Sequence, residues 1–246
     1  MAGCRLTHTT AASSAAPTFS SVNVATALSK FGKLCGLKSF PRNIAVDDRF
    51  RGLMLQARVL CADGRLQARQ VANVTHAVAK MSAAGKLATD DAEVQGTLAA
   101  LKQRAVLVVT DMAPQHVSIT WWAFATLGLE PAAEARAALE AAVVRVGPDM
   151  DSQHIANTWW AFWVLGLMPG AEAWTALQSA VVRAGPDMTA QEVSSTVFAY
   201  ARFSPTRSCG GCRGLRRGRH WRLRWCGWVG IWLFRTFQTL GQPSRC

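Results

Sequence analysis

The chain has 246 residues, half of them hydrophobic and 17% charged, which fits a packed core and excludes an extended disordered chain. Its formal charge of +12 is unevenly spread: residues 1–46 hold five basic and no acidic residues, 47–112 nine and seven, 113–203 four and eight, and 204–246 nine arginines and no acid. Basicity therefore lies at the two ends, so charge alone does not make the middle a nucleic-acid footprint. Cys4, Cys35, Cys61, Cys209, Cys212, Cys226 and Cys246 are odd in number and irregular in spacing. That pattern argues against a disulfide framework and for a reducing compartment. The longest apolar run, Trp225–Phe234, is about half of the roughly 18–20 residues a membrane span needs, and arginine flanks it.

In chain order, residues 1–19 combine Arg5 with many Ser, Thr and Ala, carry no acid and lack an apolar signal core. This composition fits a disordered organellar transit peptide. Residues 20–112 hold two weak units, Asn23–Phe31 and Asn73–Met81, whose pattern becomes plain only against the copies that follow.

Those copies are 113–150 and 151–188, which superpose without a gap and are identical at 24 of 38 positions. Trp121-Trp122 falls on Trp159-Trp160, Val143-Val144-Arg145 on Val181-Val182-Arg183, and Gly147-Pro148-Asp149-Met150 on Gly185-Pro186-Asp187-Met188. Apolar residues recur at helical spacing (Val117, Trp121, Phe124, Leu127; then Ile155, Trp159, Phe162, Leu165), and Gly128 or Gly166 with Pro131 or Pro169 ends that helix. Pro114 and the Thr189-x-x-Glu192 box mark helix starts, and His116 and His154 read as helix-start residues, replaced by Glu192 in the next unit. A second helix is expected from about Ala132 to Val146, closed by Gly147-Pro148. The aligned alanines Ala27, Ala77, Ala123, Ala161 and Ala199 step by 50, 46, 38 and 38, so the two longer units should carry loop insertions. The expected fold is all-α, an α-solenoid of 38-residue helix-turn-helix repeats, about five in number. Residues 20–112 form its degenerate part and 113–203 its clear part, the last unit lacking a second helix. Trp121, Phe124, Trp159 and Phe162 are its expected core.

After Phe203 the periodicity stops, and Arg, Gly, Trp and Cys dominate 204–246. This tail is read as disordered or as a gene-model artefact from a shifted frame or retained intron. Cys209, Cys212, His220 and Cys226 include one pair at zinc spacing, but the remainder fits no zinc motif, so no metal or other cofactor is expected.

The string Ala156-Asn157-Thr158-Trp159-Trp160-Ala161-Phe162-Trp163-Val164-Leu165-Gly166 resembles the first-helix signature of octotricopeptide repeats. Pro169-Gly170-Ala171-Glu172-Ala173-Trp174 is similar to a loosened form of that family's second-helix start, and the repeat length agrees. The family is distantly similar to FAST-kinase-like and RAP proteins. Departures occur at Ile119 and Ser195, where the signature has Asn, and at Arg136, where it has Trp. The resemblance implies a non-catalytic protein, imported into an organelle, a chloroplast ahead of a mitochondrion, that binds single-stranded organellar mRNA or rRNA in transcript stability, processing or translation. Other protein factors would be further partners.

A repeat that reads one base needs a constant frame with a few variable polar positions. On the helical wheel Ser118, Ile119, Trp122 and Thr126 lie off the apolar stripe. The candidate RNA contacts are therefore Asn73, Lys80, Ser118, Ile119, Thr126, Asn157, Val164, Ser194, Ser195 and Arg202. Lys30, Arg65 and Arg69 are candidate phosphate contacts beside Lys80. Trp122, Trp160 and Phe198 share the arc, and burial between repeats is expected for them ahead of base stacking. The rival is a protein-binding scaffold of HEAT or armadillo type, favoured by the acidic balance of 113–203. No catalytic constellation is legible.

Overall fold

The computed structural model describes residues 19–203. The transit segment, apart from its last residue, and the whole Arg/Trp-rich tail lie outside the described residues. Among the described residues nine α-helices follow one another: α1 (Ser21–Leu34), α2 (Asp48–Ala62), α3 (Ala68–Ala83), α4 (Ala92–Leu107), α5 (Pro114–Leu127), α6 (Ala133–Val146), α7 (Ser152–Leu165), α8 (Ala171–Ala184) and α9 (Ala190–Phe203). Among the described residues there is no strand. The equivalent helices α5, α7 and α9 start at Pro114, Ser152 and Ala190, in step with the sequence period.

Local chemistry fixes these boundaries. Asp151 accepts from the His154 N–H at 2.8 Å, and its own N–H donates to His154 Nδ1 at 3.3 Å. The same imidazole role is played by His116 toward the Ala113 N–H, at 3.3 Å. In α9 the box is Thr189 with Glu192, whose carboxylate accepts from the Thr189 N–H at 2.7 Å. The repeated histidines are thus cap residues, as their position implies. At the other end Gly128 and Gly166 take φ of 66° and 71°, a left-handed cap that a side chain would strain.

The helices form two layers. The odd helices α1, α3, α5, α7 and α9 pack side by side, each on the next, and α2, α4, α6 and α8 form a second row behind them. This is an α-solenoid. Its core lies between the layers, where Trp121, Phe124, Trp159 and Phe162 are almost wholly buried. Each indole finds its neighbour one repeat ahead: Trp121 lies 4.5 Å from Phe162, and Trp159 lies 6.0 Å from Tyr200. Trp174 of α8 closes on Trp159 edge-on at 5.0 Å.

Close approach of the odd helices rests on small residues. Ala77, Ala123, Ala161 and Ala199 are buried in one column. Against Ala77 stands Gly32, where an added Cβ would lie 2.8 Å from the Ala77 Cα. Backbone would have to move to admit it.

Arginines tie the second layer to the turns. Arg145 donates to the Val109 and Met112 carbonyls at 3.1 and 2.8 Å. Arg183 donates to Gly147, at 3.2 Å, and to Met150, the same two positions one repeat later. Arg104 does this for Gly64 and Leu66 at 2.7 and 2.8 Å. Each guanidinium satisfies carbonyls left over where one hairpin ends and its own begins. Toward the next repeat, Lys102 donates to the Glu130 carbonyl at 3.2 Å, and Arg136 donates to the equivalent Met168 carbonyl.

The extra length of the first two hairpins lies in their long internal turns, 35–47 and 84–91, and in longer helices, above all α3 and α4. The turns pack on each other: the Ile44 N–H donates to the Lys86 carbonyl at 2.9 Å, and Ile44 is buried. Replacing Trp159 with Ala should cost about 3–5 kcal/mol, a large share of a domain's stability. Chemical denaturation followed by circular dichroism checks this, with Gly32→Ala expected to lower the midpoint through the α1–α3 contact alone.

Candidate nucleic-acid interface

The side of each odd helix opposite the second layer carries side chains at four positions, because residues spaced by three and four share one helical face. In α5 these are Gln115, Ile119, Trp122 and Thr126; all are exposed or half-buried. Stacking the helices turns the positions into four rows along the array. One row is Arg69, Gln115, Gln153 and Gln191, and the next is Asn73, Ile119, Asn157 and Ser195. The third is aromatic: His76, Trp122, Trp160 and Phe198. The fourth is Lys80, Thr126, Val164 and Arg202.

Within the aromatic row, His76 meets Trp122 edge-on at 5.1 Å, and Trp122 stacks on Trp160 at 6.1 Å and 26°. The indoles are half-buried, which meets the expectation of contact between repeats in part, while Phe198 is 52% exposed. His76 is pushed down to about 4 by burial, with Lys80 adding to the effect, so the ring stays neutral near pH 7 and acts as an aromatic plate. Burial also lowers His116, with Arg69 and His154 contributing, and lowers His154 against the pull of Asp151.

The sequence candidates separate here. Ser118 is buried and its hydroxyl donates to the Gln115 carbonyl at 3.0 Å, so it is corrected from a surface contact to a packing residue. Its wheel position flanks the outward arc, where the neighbouring odd helix covers it. Thr126 and Ser194 keep partial exposure, but their hydroxyls donate to the Trp122 and Ala190 carbonyls at 2.8 Å. Ile119 and Val164 sit on the arc without a hydrogen-bonding group. Asn73, Asn157 and Ser195 are half-buried, and no side-chain hydrogen bond ties them to any other described residue. Lys30 and Arg202 are exposed, Lys80 is half-buried, and Arg65 and Arg69 are exposed at and just after the turn before α3. None of these five cations is in an ion pair with a described residue. The glutamine row and His76 were not singled out from the sequence, although the repeat alignment places them at equivalent positions.

Acid is segregated from this surface. Of fifteen acidic residues, Glu192 alone lies within an odd helix, and it is engaged in its cap. The odd helices carry Lys30, Lys33, Arg69, Lys80 and Arg202. The acids of 113–203 fall otherwise on α6, α8 and the turns, so the acidic balance of that segment is not the balance of its outward face. Among the described residues, no three His, Cys, Asp or Glu side chains gather as metal ligands. The cysteine pair Cys209 and Cys212 lies outside the described residues. No protein-family model matches the chain, and no curated protein matches it.

The histidines give the fold a pH dependence of definite sign. Their lowered pKa means that, as pH falls, the unfolded chain takes up protons first, so protonation favours unfolding. For His76 stability should be full above 6.5 and decline as pH falls from there toward about 4. Asp47, held at about 2 chiefly by its hydrogen bond to Arg49, titrates below that window. Thermal melts across pH 4–8 should show this fall, and His76→Gln should flatten it.

Proposed function

We propose that the chain binds single-stranded RNA along the outward face of its odd helices, as a guide or shield rather than a catalyst. The observation that carries this reading is the separation of charge: apart from the cap residue Glu192, acid is kept off the odd layer, while cations and polar groups without a partner among the described residues share it with aromatic rings. A nucleic-acid surface needs this combination, since cations neutralise phosphate, rings accept bases, and amides or hydroxyls discriminate base edges. Arg104, Arg145 and Arg183 are spent on backbone carbonyls, so phosphate contact falls to Lys30, Arg69, Lys80 and Arg202. The resemblance to octotricopeptide repeats supports an organellar transcript as target, in a chloroplast before a mitochondrion, with a role in stability, processing or translation.

The second reading is a protein-binding scaffold, supported by the acidic turns and second layer. Selection of the full chain against a random single-stranded RNA pool separates the two. Enrichment of a preferred sequence is expected, and Asn157→Ala with Ser195→Ala should change which sequence wins, by about 1–3 kcal/mol of discrimination. Lys80→Ala or Arg202→Ala should weaken all sequences alike and flatten the salt dependence. No enrichment, with affinity equal to that for an acidic polypeptide, would leave the scaffold reading in front.

A further inference from the structure

We infer that Phe198 is a stacking platform for one unpaired base, with Ser195 at the base edge and Arg202 at the adjoining phosphate. This rests on the RNA reading and names a subsite within it. Ring contact in the aromatic row runs from His76 through Trp122 to Trp160, and these three rings are half-buried. Phe198 continues the row on α9 but makes no ring contact with a described residue and is 52% exposed. Among the described residues it is the most exposed ring of that row.

Its neighbours are chosen by helical spacing. Ser195 precedes it by three residues and Arg202 follows by four, so each stands on the face of Phe198 within about 5–6 Å of it at Cβ, and the two flank it about 10 Å apart along the helix. The Ser195 hydroxyl has no bond to a described residue, whereas Ser194 beside it is tied to the Ala190 carbonyl. Arg202 packs its guanidinium near Phe203, at 5.9 Å from the ring centroid, and near Gly166, and it forms no ion pair with a described residue. A π face, a free hydroxyl and an unpaired cation in one line match a nucleotide: base, base edge, phosphate. Stacking tolerates any base but strengthens with ring area, so a purine should be preferred at this position.

The test uses the full chain and four probes of equal length: oligoadenylate, oligouridylate, an RNA duplex and an abasic ribose-phosphate oligomer. Phe198→Leu keeps the apolar volume and removes the π face, while Phe198→Tyr keeps both. The Leu variant should bind oligoadenylate about 5- to 150-fold more weakly. The Tyr variant should bind as the parent does. The loss should be smaller on oligouridylate and absent on the abasic oligomer and the duplex, with an unchanged salt slope and melting midpoint. Equal binding of oligoadenylate by parent and Leu variant would overturn the platform while leaving RNA binding standing. So would an equal loss on the abasic oligomer. A loss of affinity matched by a lower melting midpoint would make Phe198 a packing contact within this chain and also overturn it. No binding to any oligomer by the parent protein would remove the RNA reading and the subsite together.

Discussion

The buried tryptophans Trp121 and Trp159 each reach across a repeat boundary for an aromatic partner. Trp121 meets Phe162 from the following repeat, and Trp159 meets Tyr200 from the following repeat as well as Trp174 of its own hairpin. Burying such rings is worth several kcal/mol each, so every unit draws its stability from its neighbour and the array folds as a line of coupled parts. The alanine column serves the same end. Its small side chains let the odd helices approach closely enough for the rings to meet, and Gly32 against Ala77 extends that closeness to the first pair.

With packing set by the inner face, the outer face of the odd helices is free to vary. The frame residues Trp121, Ala123 and Phe124 reappear unchanged in the next unit, while Ile119 becomes Asn157 and Thr126 becomes Val164. The arginine clamps belong to the frame as well. Charge that looks available by count is anchored to carbonyls at the hairpin joints, and charge that looks unfavourable by count is turned toward the second layer. A net charge taken over a stretch of sequence averages two layers with opposite tasks.

Helix starts, helix ends and the core were legible because each has a local cause. Pro114, the Thr189–Glu192 box and the glycine caps state their geometry within a turn of chain, and the apolar spacing names the buried ring. The long turns of the first two units were legible as insertions from the alanine steps, but their packing on each other was not, since it depends on Ile44 meeting Lys86 across the stack. At the site, a wheel drawn for one helix placed Ser118 outward because it does not contain the adjacent helix that covers it. The engaged hydroxyls of Thr126 and Ser194 were hidden for a different reason: each bonds the carbonyl four residues back in its own helix, which a wheel does not show.

The joint between units is built twice from the same parts. Arg145 with Val109 and Met112 is repeated as Arg183 with Gly147 and Met150, so each unit brings both the donor for its own joint and the acceptors for the next. Inserting or deleting one whole unit at that boundary leaves every clamp and every ring partner matched. Duplication of a gene segment of that length therefore keeps the joint intact, and the longer first two units keep a clamp as well, with their extra residues placed inside the hairpin. Along such a lineage the outward face lengthens in whole steps, each adding one position in every row, while the chemistry at the new position is left to drift.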